Sequence, residues 1–141
     1  MADFPPPQSA ASTGPVAPVS AGLLAYALFA IGAVLEILSR GIASPFPLMT
    51  ILGIVGVIVC YVKRDEARTT WVASHFTWLI RTFWWSFLWC LIGGIILVTL
   101  GLILIGIPIA FGIWFVVAIW VIYRVVRGYL LFKDSKPIPG V

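Results

Sequence analysis

Apolar side chains fill four stretches of the chain, about residues 21–38, 46–62, 83–104 and 109–126, and polar side chains gather between and beyond them. The longest uninterrupted pattern runs from Phe83 to Tyr123. It holds 41 residues without a charge, and Ser86 and Thr99 are its only hydroxyl side chains before Tyr123. As one helix rising about 1.5 Å per residue it would reach roughly 60 Å, twice the hydrocarbon core of a bilayer at about 30 Å. The run therefore predicts two membrane-crossing helices joined by a tight turn. Gly101, Gly106 and Pro108 mark that turn. Pro108 has no N–H to continue a helix, but it fits the first turn of a new one. Gly41, Pro45 and Pro47 break the pattern between the first two stretches.

The segment from Arg64 to Thr82, RDEARTTWVASHFTWLIRT, has a different rhythm. Thr70, Ser74, Thr77 and Arg81 recur at intervals of four, three and four, and so do Val72, Phe76, Leu79 and Phe83 on another side. That spacing separates polar from apolar faces of a helix. Asp65 and Glu66 stand in the first turn, where carboxylates favour the helix dipole. The pattern predicts an amphipathic helix over about 64–82, lying at the membrane surface and running into the third span. Trp71, Trp78, Trp84, Trp85 and Trp89 suit an interfacial belt, because indole pairs an apolar body with one N–H to satisfy. Arg81 is placed to reach head groups from apolar surroundings. His75, the only histidine, falls four residues after Trp71 and three before Trp78, so the three can share a face. With no carboxylate at helical spacing from it, a hydrogen-bonded interfacial histidine is expected rather than a proton acceptor.

Charge sets the expected topology. Lys63, Arg64, Arg68 and Arg81 precede the third span, Arg124, Arg127, Lys133 and Lys136 follow the fourth, and Arg40 alone lies between the first two. Cytoplasmic loops carry the Lys/Arg excess, so both termini and the central segment are expected to be cytoplasmic. An even number of spans satisfies this; an odd number does not. Glu36 is the one acidic residue within a span. Arg40 follows it by four residues, the favoured order for a helical ion pair.

Composition narrows the class. The chain is 62% hydrophobic and 10% charged, with a mean hydropathy of +1.11, against about 45–50% and about 25% in soluble domains. The net charge of +4 sits beside apolar spans, which points to anionic lipid head groups and not to nucleic acid. Cys60 and Cys90 lie inside spans without CxxC or Cys/His spacing, so packing residues are expected, with no metal and no cofactor. Residues 1–20, rich in Pro, Ala and Ser, read as a disordered cytoplasmic tail. They carry no Lys or Arg before the first apolar stretch, so a secretory signal is not expected. Residues 133–141 read as a second short tail. Gly53, Gly56, Gly93, Gly94 and Gly101 are expected to let helices approach closely.

Two stretches, CYVKRDEARTTWVASHFTWLIRTFWW from Cys60 and WVIYRVVRGYLLFKDSKPIP from Trp120, resemble a family of small bacterial membrane proteins of unknown function. That family is grouped with the chloroplast inner-envelope import component Tic-twenty. The matching residues are His75, Phe76, Arg81, Thr82 and Phe83, then Tyr123, Arg124, Arg127 and Gly128. The resemblance implies a four-helix membrane domain over 21–132 in the bacterial inner membrane and no enzyme activity to carry over. The residues agree. The carboxylates Asp3, Glu36, Asp65, Glu66 and Asp134 do not converge with His75 in sequence, and general acid–base work needs groups within hydrogen-bond reach. The chain is therefore expected to be all-α and polytopic: a non-enzymatic accessory, assembly or structural subunit. Trp71, His75, Trp78, Arg81, Tyr123, Arg124 and Arg127 are its candidate contact residues, and anionic lipids, a second copy or another membrane protein its expected partners. The alternative is a transport or translocation component acting as an oligomer or with partners. The Tic-like resemblance and Glu36 motivate it, and no solute flux in proteoliposomes, with no effect of Glu36→Gln, would remove it.

Overall fold

A computed structural model describes residues 17–40 and 51–140, apart from the side chains of Ser39, Arg40 and Leu102. The expected N-terminal tail up to residue 16, the connection between the first two spans and the start of the second lie outside the described residues. Within them every regular element is helical: α1 (Val19–Arg40), α2 (Ile51–Val62), α3 (Arg64–Ala67), α4 (Val72–Leu100), a 3₁₀ turn (Gly101–Ile103) and α5 (Gly106–Lys133). Helices α1, α4 and α5 are each long and apolar enough to cross a membrane, whereas α2 has 12 described residues. Their outward faces stay apolar, with Leu38 and Val98 each 76% exposed and Val116 65%. An apolar exterior of that extent is unsuited to water.

α1 and α2 pack antiparallel. Ser20, Ala21 and Leu24 share a groove with Ile58, Val59 and Val62, and Gly56 faces the Phe29 ring, which would stand 2.8 Å from an added Cβ. α4 and α5 form the most extensive pair, also antiparallel, with Gly93 against the indole of Trp114. That indole N–H is buried with no acceptor among the described residues. Phe29 meets Phe83 edge-on, with ring centroids 6.5 Å apart, and Gly22 faces both Val72 and Phe132. The start of α1, the end of α2, the start of α4 and the end of α5 therefore meet at one end of the bundle. Eight of the nine basic residues are carried at or near that end. Of the glycines expected to mediate packing, Gly56 and Gly93 do so and Gly53 is buried in α2; Gly94 has no atom within 4 Å of an added Cβ, and Gly101 only Leu97 at 3.9 Å.

The helix boundaries differ from the sequence expectation in three places. First, 64–82 is not one helix. It breaks after α3 because Thr70 turns its N–H and its hydroxyl onto the Ala67 carbonyl, both at 2.8 Å, a local bond that competes with the helical ladder. The periodic apolar set holds beyond the break: Val72, Phe76, Leu79 and Phe83 are all buried, but against α1, α2 and α5 within one core.

Second, α4 starts eleven residues before the expected third span. Its 29 residues give about 43 Å of helix, more than a bilayer core requires. α5 begins at Gly106 with Pro108 in its first turn, as the turn signals indicated, and runs to Lys133 instead of ending near 126. The turn between them is tight. Leu104 takes a left-handed φ of 62°, and a Cβ on Gly106 would lie 2.5 Å from the Leu100 carbonyl carbon and 2.6 Å from the Gly101 nitrogen.

Third, residues 133–140 do not simply trail away. Ser135 takes a left-handed φ of 53°, and the Lys136 N–H donates to the Leu131 carbonyl at 3.0 Å, closing α5 with a helix C-cap. The chain then folds back so that Ile138 is buried.

Candidate functional site

At the polar end of the bundle two hydrogen-bonded clusters lie side by side. The first surrounds His75, which is fully buried in α4. Its Nε2 stands 2.8 Å from the Lys136 carbonyl. A carbonyl only accepts, so Nε2 carries the proton. In the neutral ring Nδ1 is then an acceptor, and the hydroxyl of Tyr26, 2.9 Å away, donates to it. Both ring nitrogens are thereby used, and His75 joins α1, α4 and the C-terminal segment. Three aromatic rings meet the imidazole edge-to-face: Trp71 at 5.5 Å and 87°, Phe132 at 5.2 Å and 90°, and Tyr26 at 5.9 Å and 73°. Ser74 adds a second tie, accepting from the Ile138 N–H at 3.0 Å while donating to the Trp71 carbonyl at 2.8 Å.

The second cluster centres on Arg124. Its guanidinium carbon sits 3.5 Å from the centroid of the Trp78 ring and 4.9 Å from that of Trp120. Its Nε donates to the Thr82 hydroxyl at 2.7 Å, and that hydroxyl in turn donates to the Trp78 carbonyl at 2.7 Å. The Trp78 indole donates to the Arg124 carbonyl at 3.1 Å. A half-buried cation–aromatic stack of this kind contributes about 1 kcal/mol. Gly128 separates the two clusters: a Cβ there would lie 2.5 Å from the Tyr26 hydroxyl and 3.1 Å from the Trp78 indole nitrogen.

The candidate residues thus divide. Trp71 and His75 belong to the first cluster, and Trp78 and Arg124 to the second, although Trp78 shares a helix with His75. Arg127 donates to the Tyr123 hydroxyl at 2.8 Å, and both are exposed, as is Arg81. Glu36 is buried in α1; the side chain of Arg40, its expected partner, lies outside the described residues. Sequence reasoning missed Tyr26, Trp120, Phe132 and the Lys136 carbonyl as members of the clusters, and gave Thr82 only as a residue matching the resembled family. Signals existed for two of them. Tyr26 is the lone hydroxyl of a span whose only charge is Glu36, and the isolated Ile138 between Pro137 and Pro139 hints at a segment that docks.

The arrangement is suited to holding helices together and to presenting positive charge. His75 has no ring nitrogen left for a substrate or a metal. Among the described residues no group of three or more His, Cys, Asp and Glu side chains is placed to hold a metal ion. Cys60 and Cys90 are buried free thiols. No family model, curated protein or solved structure matches the chain.

Proposed function

We propose that the chain crosses the bacterial inner membrane four times, with both termini and the central segment in the cytoplasm, and serves as a non-enzymatic accessory, assembly or structural subunit. The carrying observation is a contrast. The polar side chains at one end are bonded to one another across three chain segments, while the outward faces of the long helices are apolar and open. Four crossings are supported by the antiparallel packing of α2 against α1 and by the meeting of four helix ends beside the basic residues. Location in a bacterial inner membrane rests on the resemblance of the His75 and Arg124 segments to the Tic-like family. The start of α4, with Trp71 just before it and Arg81 on it, would lie at head-group level. A groove walled by Trp89, Ile109, Ile113, Val116 and Trp120 favours a subunit over a solute path.

The test is crosslinking in native membranes followed by purification in mild detergent. The expected result is the same membrane-protein partner, or a second copy of this chain, in repeated preparations. Recovery of uncrosslinked monomer alone would remove the subunit reading.

A further inference from the structure

An apolar groove of about 530 Å3 runs along the outside of the α4–α5 pair. Its walls are Trp89 of α4 and Ile109, Gly112, Ile113, Val116 and Trp120 of α5. Gly112 opens it, since no atom lies within 4 Å of where a Cβ would stand. From Ile109 to Trp120 the helix rises about 16 Å at 1.5 Å per residue. One leaflet is about 15 Å deep, half of a 30 Å core.

The groove ends at Trp120, over which the Arg124 guanidinium lies. Nε of that guanidinium is committed to Thr82, and none of the ion pairs Lys63–Glu66, Arg68–Asp65 and Lys136–Asp134 involves it. Arg81 and Arg127 are the cations whose charge acts on it. The carboxylates of Asp65, Glu66 and Asp134 are engaged elsewhere, with Arg68, Lys63 and Lys136. A half-buried guanidinium held from behind by an indole presents a planar donor edge that matches phosphate. A leaflet-deep apolar channel directly below matches a hydrocarbon chain.

We propose that this groove seats an acidic phospholipid, with one acyl chain lying over Gly112 between Trp89 and Trp120 and its phosphate held by Arg124 beside Arg81 and Arg127. The proposal rests on reading the chain as a membrane protein and gives the cationic face a specific occupant. It is distinct from ordinary annular lipid because charge and groove must act together.

The full chain in neutral detergent micelles is titrated with phosphatidylglycerol and with phosphatidylcholine of the same acyl chains, and bound lipid is counted by native mass spectrometry. Phosphatidylglycerol should be retained about fivefold more strongly, the scale expected for one basic side chain at a lipid head group. Arg124→Gln should abolish that preference. Arg81→Gln, a second charge variant at an exposed side chain, should reduce it. Gly112→Leu, which fills the groove and leaves every charge in place, should lower phosphatidylglycerol retention as strongly as Arg124→Gln. Gly94→Leu, in open space on α4 outside the groove, should behave as the parent chain.

Equal retention of the two lipids by the parent chain would overturn the proposal, and so would a preference that survives Gly112→Leu. Complete displacement by equimolar soluble glycerol phosphate would reassign the site to a free anion and also overturn it. The measurement reads neither topology nor protein partners, so its failure leaves the subunit reading standing, and loss of that reading leaves this one standing.

Discussion

At the residue scale, His75 shows how one side chain can be committed by its neighbours. With Nε2–H bonded to a carbonyl and Nδ1 accepting from Tyr26, the ring is a structural pin between α1, α4 and the C-terminal segment. Tyr26→Phe removes the donor and leaves Nδ1 buried without a partner. His75→Ala strands the Tyr26 hydroxyl and releases the Lys136 carbonyl as well. A stranded buried polar group costs about 1–3 kcal/mol. Thermal unfolding in detergent should therefore place Tyr26→Phe below the parent chain and His75→Ala lower still. In His75→Ala, hydrogen exchange at residues 134–138 should accelerate; unchanged exchange there would mean that His75 does not tether the C-terminal segment. The spacing of Trp71, His75 and Trp78 gave a shared helix face, and a hydrogen-bonded histidine was legible from its lack of acidic neighbours. Its partners were not, because Tyr26 and Lys136 lie 49 and 61 residues away in sequence.

At the element scale, the α4–α5 hairpin is the part of the fold most clearly written in the chain. The uncharged run exceeded one crossing, and Gly106 and Pro108 located the turn. The structure adds the reason for glycine: backbone atoms of Leu100 and Gly101 occupy the space where a Cβ would go. Gly106→Ala should destabilise the chain by about 1–3 kcal/mol, the usual cost of forcing extra volume into a packed site. Gly112→Ala, in open space, should be close to neutral. Equal melting temperatures for the two variants would show that the turn relaxes freely. The break between α3 and α4 was not legible, since periodicity counts side-chain faces and does not register that Thr70 can bond the Ala67 carbonyl itself. Nor was the core position of the first part of α4, which was expected at the membrane surface. Its polar residues, Ser74, Thr77 and Thr82, resemble a solvated face until their hydroxyls are seen bonded to carbonyls of the same helix.

At the scale of the whole molecule, the convergence of helix ends makes a topological prediction. In right-side-out membrane vesicles, Arg68→Cys and Ser135→Cys should both resist a membrane-impermeant thiol reagent, and both should label in inverted vesicles. Opposite accessibility of the two positions would exclude an even number of crossings between residues 68 and 135, and labelling of both from outside would reverse the orientation. The buried native thiols Cys60 and Cys90 should stay unlabelled in either preparation. The chain by itself determined its solvent, the existence of the apolar helices, the hairpin turn near Gly106 and the clustering of positive charge. Those properties follow from hydropathy, length and local backbone restriction, each of which is written in consecutive residues. Only the tertiary structure decided that Val72, Phe76, Leu79 and Phe83 face protein, that Ile138 folds back onto α4, and that Trp78 and Trp120 meet at Arg124. Those contacts join residues far apart in sequence, and whether an apolar face meets lipid or another helix depends on which surfaces the packed bundle brings together.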